Sequence, residues 1–222
     1  MKVLGILGSP HPRGTTVLLL DAALQGAAEA GAEVEKIELG HLKLNFCIAC
    51  GKCHAEGACI HDDDVESVRE KLAAADGIIL ASPNYINNVT AQLKTLMDRC
   101  TTEIHCQMWL GKYGAAVATA GGSEEQAVAD YANHFLRTCG ALTVGTAVAR
   151  AAGVGALEDQ EAAVARASAL GRDLVAAISE RREYPEQAAA HALFHERMHQ
   201  LVLRMAEHAP FQYQYWENMG WL

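Results

Sequence analysis

Cys47, Cys50, Cys53 and Cys59 form a C-x2-C-x2-C-x5-C run. Cysteine thiolates ligate iron-sulfur clusters and structural zinc, and two-residue spacers let successive thiolates close around one compact object. Structural zinc usually takes two separated pairs of ligands on two knuckles, whereas three of these sulfurs share one short loop. The spacing therefore predicts a single 4Fe-4S cluster held by all four thiolates, with zinc, or bare thiols and disulfides, as the alternatives. The last gap is longer than in the bacterial ferredoxin run, and Ile60 stands where that run has proline. The chemistry expected of such a centre is electron transfer.

A second candidate lies near the N-terminus, where Gly8-Ser9-Pro10-His11-Pro12-Arg13-Gly14-Thr15-Thr16 separates an apolar run from an amphipathic stretch. Loop amides and a helix N-terminus at such a turn favour an anion. Ser9, Thr15 and Thr16 offer hydroxyl donors, and Arg13 can neutralise part of a monophosphate. The loop lacks the Gly-Lys-Ser/Thr ending of a P-loop and the G-x-G-x-x-G of a dinucleotide fold, which disfavours ATP and a Rossmann NAD site. A plain turn with Thr15 as N-cap is the alternative. Two more loops, Ser82-Pro83-Asn84-Tyr85-Ile86-Asn87-Asn88 and Thr119-Ala120-Gly121-Gly122-Ser123, follow apolar runs. Asn and Tyr side chains with free amides can bond the polar edge of a flat ring such as a flavin, and small glycines admit backbone close to its face. Each loop taken separately could be an ordinary turn.

The elements that must position these loops alternate in type. Apolar runs near 2–7, 34–39, 77–81, 113–119 and 142–149 read as strands, and amphipathic stretches near 15–30, 64–75, 90–99, 123–139 and 157–182 read as helices. Alternation implies parallel pairing through right-handed crossovers: an α/β, flavodoxin-like doubly wound five-stranded parallel sheet in the order 2-1-3-4-5. In such a sheet ligands lie beyond the carboxyl ends of the strands, where strand order reverses, and all three loops reach that edge. Residues 1–184 are expected to form the flavodoxin-like domain including the cysteine loop 47–59. Residues 185–222 add a C-terminal helical extension to it, a His-rich helix near 187–207 and an aromatic tail from 211 to 222.

At 222 residues and 50% hydrophobic content the chain can bury one sizeable core. A net charge of −9 provides no basic stripe for nucleic acid. The N-terminal apolar run is too short for a signal peptide and no stretch is long enough to span a bilayer, so a cytoplasmic protein is expected. There thiols stay reduced, and Cys100, Cys106 and Cys139 read as ordinary buried residues.

Taken together, Gly8-Ser9-Pro10 with Arg13-Gly14-Thr15-Thr16, the four-cysteine run, Ser82-Pro83-Asn84-Tyr85 leading to Lys94 and Asp98-Arg99, and Thr119-Ala120-Gly121-Gly122 resemble the flavodoxin-fold NAD(P)H-dependent FMN reductases, and within them the iron-sulfur flavoproteins. The resemblance covers roughly residues 1–150. It implies noncovalent FMN held by Ser9, Arg13, Gly14, Thr15, Thr16, Pro83, Asn84, Tyr85, Ile86, Asn88, Thr119, Ala120, Gly121 and Gly122, with the cluster close to a flavin, often across a dimer interface. The implied donor is ferredoxin or NAD(P)H, the acceptor a small molecule, and the assembly a homodimer or homotetramer. Thr15 departs from the family pattern, which commonly has Asn. An FMN-only reductase and a non-enzymatic electron carrier or redox sensor are the alternatives.

One motif competes with this reading. His195-Glu196-Arg197-Met198-His199 spells H-E-x-x-H on a predicted helix, the pattern of zinc peptidases. Ten histidines make a chance match unremarkable, and a solvated helix face is the preferred reading, ahead of an adventitious metal site that includes His191. The tail residues Phe211, Tyr213, Tyr215, Trp216 and Trp221 are too apolar to stay in water and should pack on their own domain or across a subunit interface.

Overall fold

The computed structural model describes all 222 residues. Its elements run β1 (Lys2–Leu7), α1 (Thr15–Glu29), β2 (Glu33–Glu38), a 3-10 turn (Leu39–His41), α2 (Lys52–Glu56), α3 (Val65–Ala74), β3 (Gly77–Pro83), α4 (Ala91–Asp98), α5 (Thr101–His105), β4 (Tyr113–Ala120), α6 (Glu125–Thr138), β5 (Leu142–Gly153), β6 (Ala156–Leu157), α7 (Gln160–Glu180), α8 (Pro185–Arg204) and α9 (Pro210–Asn218). The sheet order is β2-β1-β3-β4-β5-β6. β1 to β5 pair in parallel, and β6 runs antiparallel to β5.

The sheet thus has six strands and is mixed, where five parallel strands were expected. β5 runs on past residue 149 to Gly153 and turns back at Val154-Gly155, and the returning pair 156–157 bonds to its end. The first three residues of the stretch expected to be helical from 157 are spent on this hairpin and the following turn, so α7 starts at Gln160.

Period-two alternation divides the core. Leu4, Ile6, Ile78, Leu80, Ala116 and Ala118 face α3, α4 and α6, while Val3, Leu7, Ile79, Ala81, Ala115 and Val117 face α1 and α7. Strands buried on both faces must read as continuous apolar runs, which is why the central strands lack polar alternation. Each of the Val, Leu and Ile side chains among them is worth about 2 kcal/mol in burial. On the second face α1 and α7 touch backbone to backbone: a Cβ at Gly171 would sit 1.8 Å from the Ala23 carbonyl oxygen, and one at Gly26 would sit 2.0 Å from that of Ser168. This close crossing sets where α1, and hence the loop that opens it, sits over the sheet.

The extension packs on the same body. Cys106, Met198, Val202 and Trp216 form a small third cluster joining α8 and α9 to the end of α5. No helix is long and apolar enough to cross a membrane.

Candidate functional site

The three glycine- and hydroxyl-rich loops meet at the carboxyl edge of the sheet through hydrogen bonds. Thr16 Oγ1 and Thr119 Oγ1 lie 2.6 Å apart, joining the start of α1 to the end of β4, with Thr15 Oγ1 at 3.5 Å from the same oxygen. The Asn84 amide N–H donates to the Thr119 carbonyl at 2.7 Å, and Asn84 Nδ2 donates to the Ser123 carbonyl at 2.7 Å. Thr90, the N-cap of α4, donates its hydroxyl to the Gly8 carbonyl at 2.6 Å.

Within this edge the predicted residues divide by availability. Gly14, not Thr15, is the N-cap of α1, and no side chain caps it. The Val17 amide donates to the Gly14 carbonyl at 3.1 Å, and the amides of Thr15 and Thr16 are left to water or to an anion. Ser9 is buried, and its Oγ accepts from the His11 amide at 3.1 Å, which shapes the loop. Arg13 is exposed and, with His11, Pro12, Gly14 and Thr15, faces Gly153, Val154 and Gly155 across a cavity of about 480 Å³. That wall comes from the unanticipated hairpin, whose one sequence signal is the Gly153-Val154-Gly155 turn.

Beyond β3, which ends at Pro83, Tyr85 and Asn88 close a tight turn by mutual backbone bonds of 2.9 and 3.3 Å. Ile86 and Asn87 at its tip take left-handed φ values of 51° and 60°. A β-branched residue rarely adopts this conformation, and Ile86 is also 96% exposed. Asn88 Oδ1 accepts from the Val89 amide, so that side chain serves the turn. Asn84 Oδ1 is buried with no partner. Ala120 is buried, while Gly121 and Gly122 have open space where a Cβ would be.

The four cysteines line one cavity of about 300 Å³ together with Ile48, Ala49, Gly51, His54, Ile60, His61, Asp98, Arg99 and Thr101. Cys47 and Cys50 are exposed, and Cys53 and Cys59 are half-buried. Burial pushes the Cys53 thiol up. No group of three His, Cys, Asp or Glu side chains converges on a point as the ligands of one ion. The other three cysteines are buried. Loss of solvent raises Cys100 and Cys139 well above the ordinary thiol range and Cys106 to about 12, so they stay protonated.

Two residues absent from the predicted site close the base of this loop. The Asp63 carboxylate accepts from Arg99 Nη1 at 2.9 Å and Nη2 at 3.2 Å, from the Asn45 amide at 2.8 Å, from Asn45 Nδ2 at 3.0 Å and from the Val65 amide at 3.2 Å. Arg99 Nη1 also donates to the Asn45 carbonyl at 2.8 Å. Both side chains are almost wholly buried, at 2% and 1% exposure. Burial alone would raise the Asp63 pKa, but the Arg99 bonds and the backbone amides outweigh it and hold the carboxyl at about 2. The sequence signal for Asp63 was only a run of three aspartates, 62–64.

The H-E-x-x-H residues gather no metal site. His195 stacks on Trp216 with ring centroids 4.6 Å apart and meets Trp221 edge-on at 4.8 Å, and His199 stacks on Trp216 at 5.7 Å. The preferred expectation of a solvated face needs correction too, because both rings are half-buried against the aromatic tail.

Comparison with known proteins agrees with this geometry. Residues 1–154 match the family described as NADPH-dependent FMN reductase. An iron-sulfur flavoprotein of Archaeoglobus fulgidus is 34% identical over 223 residues, covering 100% of both chains. A second iron-sulfur flavoprotein, from Methanocaldococcus jannaschii, is 46% identical over 140 residues, covering 61% of this chain and 72% of its own. Among solved structures, a flavodoxin from the domain Archaea superposes with a TM-score of 0.55 at 16% identity, covering 81% of this chain and 99% of that one, which supports a flavodoxin-like fold. By its matched residues and its full-length relative, the chain belongs to the NADPH-dependent FMN reductase family, within its iron-sulfur flavoprotein subgroup.

Proposed function

We propose that the protein is a flavin oxidoreductase that passes electrons from NAD(P)H or ferredoxin, through FMN and a 4Fe-4S cluster, to a small organic acceptor such as a quinone. The carrying observation is that all four thiols of the C-x2-C-x2-C-x5-C run line one cavity, and four cysteine thiolates are the donor set of a 4Fe-4S cluster. FMN exchanges a hydride or single electrons and the cluster one electron at a time, so the pair would link two-electron and one-electron partners.

The residues bind and orient. The uncapped first turn of α1, with Thr15, Thr16 and Arg13, takes the phosphate. Asn84, whose Oδ1 is buried and unpartnered, and Tyr85 take the polar edge of the ring, and the open space over Gly121 and Gly122 admits its face. Ile86, held in a strained conformation at the turn tip, is a position of the kind found at ligand clamps. The cysteine cavity lies at the carboxyl end of α4 and the flavin loops at its amino end, eight residues or about 12 Å of helix apart. A homodimer or homotetramer that brings one subunit's cysteine loop to another's flavin edge shortens that path.

Anaerobic purification with FMN, iron and acid-labile sulfide measured on one sample tests the reading. About one FMN with about four irons and four sulfides per chain is expected. FMN with no iron after anaerobic reconstitution would leave a plain FMN reductase.

A further inference from the structure

The flavin reading leaves the C-terminal extension without a role, and its packing supplies one. We propose that α9 is a positioning element for the cysteine loop, holding the turn between Cys53 and Cys59 so that the third and fourth thiols face the cavity. This rests on the reading of that cavity as the cluster site.

The loop has two ends to secure. Its base is fixed by Asp63 and Arg99, as described above. Its far end, α2 and the turn at Gly57, contributes nothing to the buried core and is held from outside. Gly57 closes α2 with φ +78°, its amide donating to the Cys53 carbonyl at 3.1 Å. A Cβ at Gly57 would sit 2.4 Å from the ring of Phe211, so the first turn of α9 lies directly on this backbone. Any side chain at position 57 would both strain the turn and displace the ring. One residue on, Gln212 is 1% exposed and its Oε1 lies 3.0 Å from His105 Nδ1. The His105 ring in turn packs at 5.2 Å on His54, which lines the cysteine cavity beside Cys53.

Trp216 fixes α9 against this assembly. It is fully buried and donates Nε1–H to the His105 carbonyl at 3.0 Å. His195 and His199 of α8 stack on its ring. The H-E-x-x-H spacing thereby acquires a physical reason: imidazoles four residues apart on one helix face present two rings to one indole. Contacts therefore run unbroken from α8 through Trp216 and α9 to Gly57 and Cys53.

The test compares wild type with Phe211→Ala, Phe211→Leu and a chain truncated after Ala209. In metal-free, reduced protein, alkylation by iodoacetamide is followed at each cysteine by mass spectrometry. Phe211→Ala is expected to speed alkylation of Cys53 and Cys59 severalfold while changing Cys47 and Cys50 less, and Phe211→Leu is expected to restore much of the protection. In reconstituted protein, iron loss to a chelator should accelerate by a similar factor while FMN stoichiometry and affinity stay at the wild-type level. Unchanged alkylation and iron loss in Phe211→Ala overturns the proposal. If truncation unfolds the chain, Phe211→Ala and Phe211→Leu still decide. Altered thiol protection in Phe211→Ala, together with a wild-type protein that never takes up iron, supports the positioning role while refuting the cluster. A stable cluster with unaltered thiol protection does the reverse.

Discussion

Replacing Asp63 by Asn isolates the clamp at the base of the cysteine loop. The carboxylate takes five hydrogen bonds, two of them from Arg99, and its pKa stands at about 2 against an ordinary 3.8. A folded-state pKa below the unfolded one means stability that is fully present above pH 3.8 and lost as pH falls through about 2. The difference corresponds to about 2 kcal/mol at pH 7, of which about 1 kcal/mol remains at pH 3. Asn also leaves the Arg99 guanidinium buried without its counter-charge, so the whole loss at pH 7 is about 2–4 kcal/mol. Urea unfolding of cofactor-free wild type and Asp63→Asn at pH 7 and pH 3 reads this directly, because other carboxylates titrate in both proteins and cancel in the difference. The gap should narrow by about 1 kcal/mol between the two pH values. Parallel behaviour at both, or a gap below about 0.5 kcal/mol at pH 7, would show that Asp63 is not the charged strut its bonds describe.

Two further outcomes follow from the geometry. Cys50→Ser should abolish cluster absorbance while FMN stays bound, since the thiol lines the cysteine cavity and none of the flavin-side loops; loss of both cofactors together, read from the visible spectrum and released flavin, would mean the loop is structural. Gly171→Ala should cost about 3 kcal/mol in urea unfolding, the upper range for overpacking, because the obstructing atom at 1.8 Å is a backbone carbonyl of α1 and not a movable side chain; an unchanged midpoint would disprove the close helix crossing.

What could be read from the chain beforehand was what is local. Successive short apolar runs and the glycine-rich turns between them are properties of neighbouring residues, and they placed the five parallel strands to within a few positions. The sixth strand was missed because two residues, Ala156 and Leu157, carry no periodicity, and only the pairing to the end of β5 makes them a strand. The cysteine spacing was legible for the same reason as the strands. The residues that hold the cysteines were not: Asp63 meets Arg99 across 36 positions and Gln212 meets His105 across 107, and nothing in a linear pattern joins such pairs. The H-E-x-x-H motif shows the converse, a local pattern whose chemistry is decided by a distant indole.

The segment Thr90 to Arg99 gains its meaning from its two ends. Thr90 begins α4 with its hydroxyl on the Gly8 carbonyl, in the first loop, and Arg99 ends it with its guanidinium on Asn45 and Asp63, which flank the cysteine loop. Both anchors are buried, and between them Leu93, Leu96 and Met97 are packed into the core. An eight-residue helix so fixed cannot slide by a turn or tilt appreciably without breaking a buried bond at one end or opening a cavity along its side. The separation of the cysteine loop from the glycine- and hydroxyl-rich loops within one chain is therefore set by α4 and not by the loops themselves.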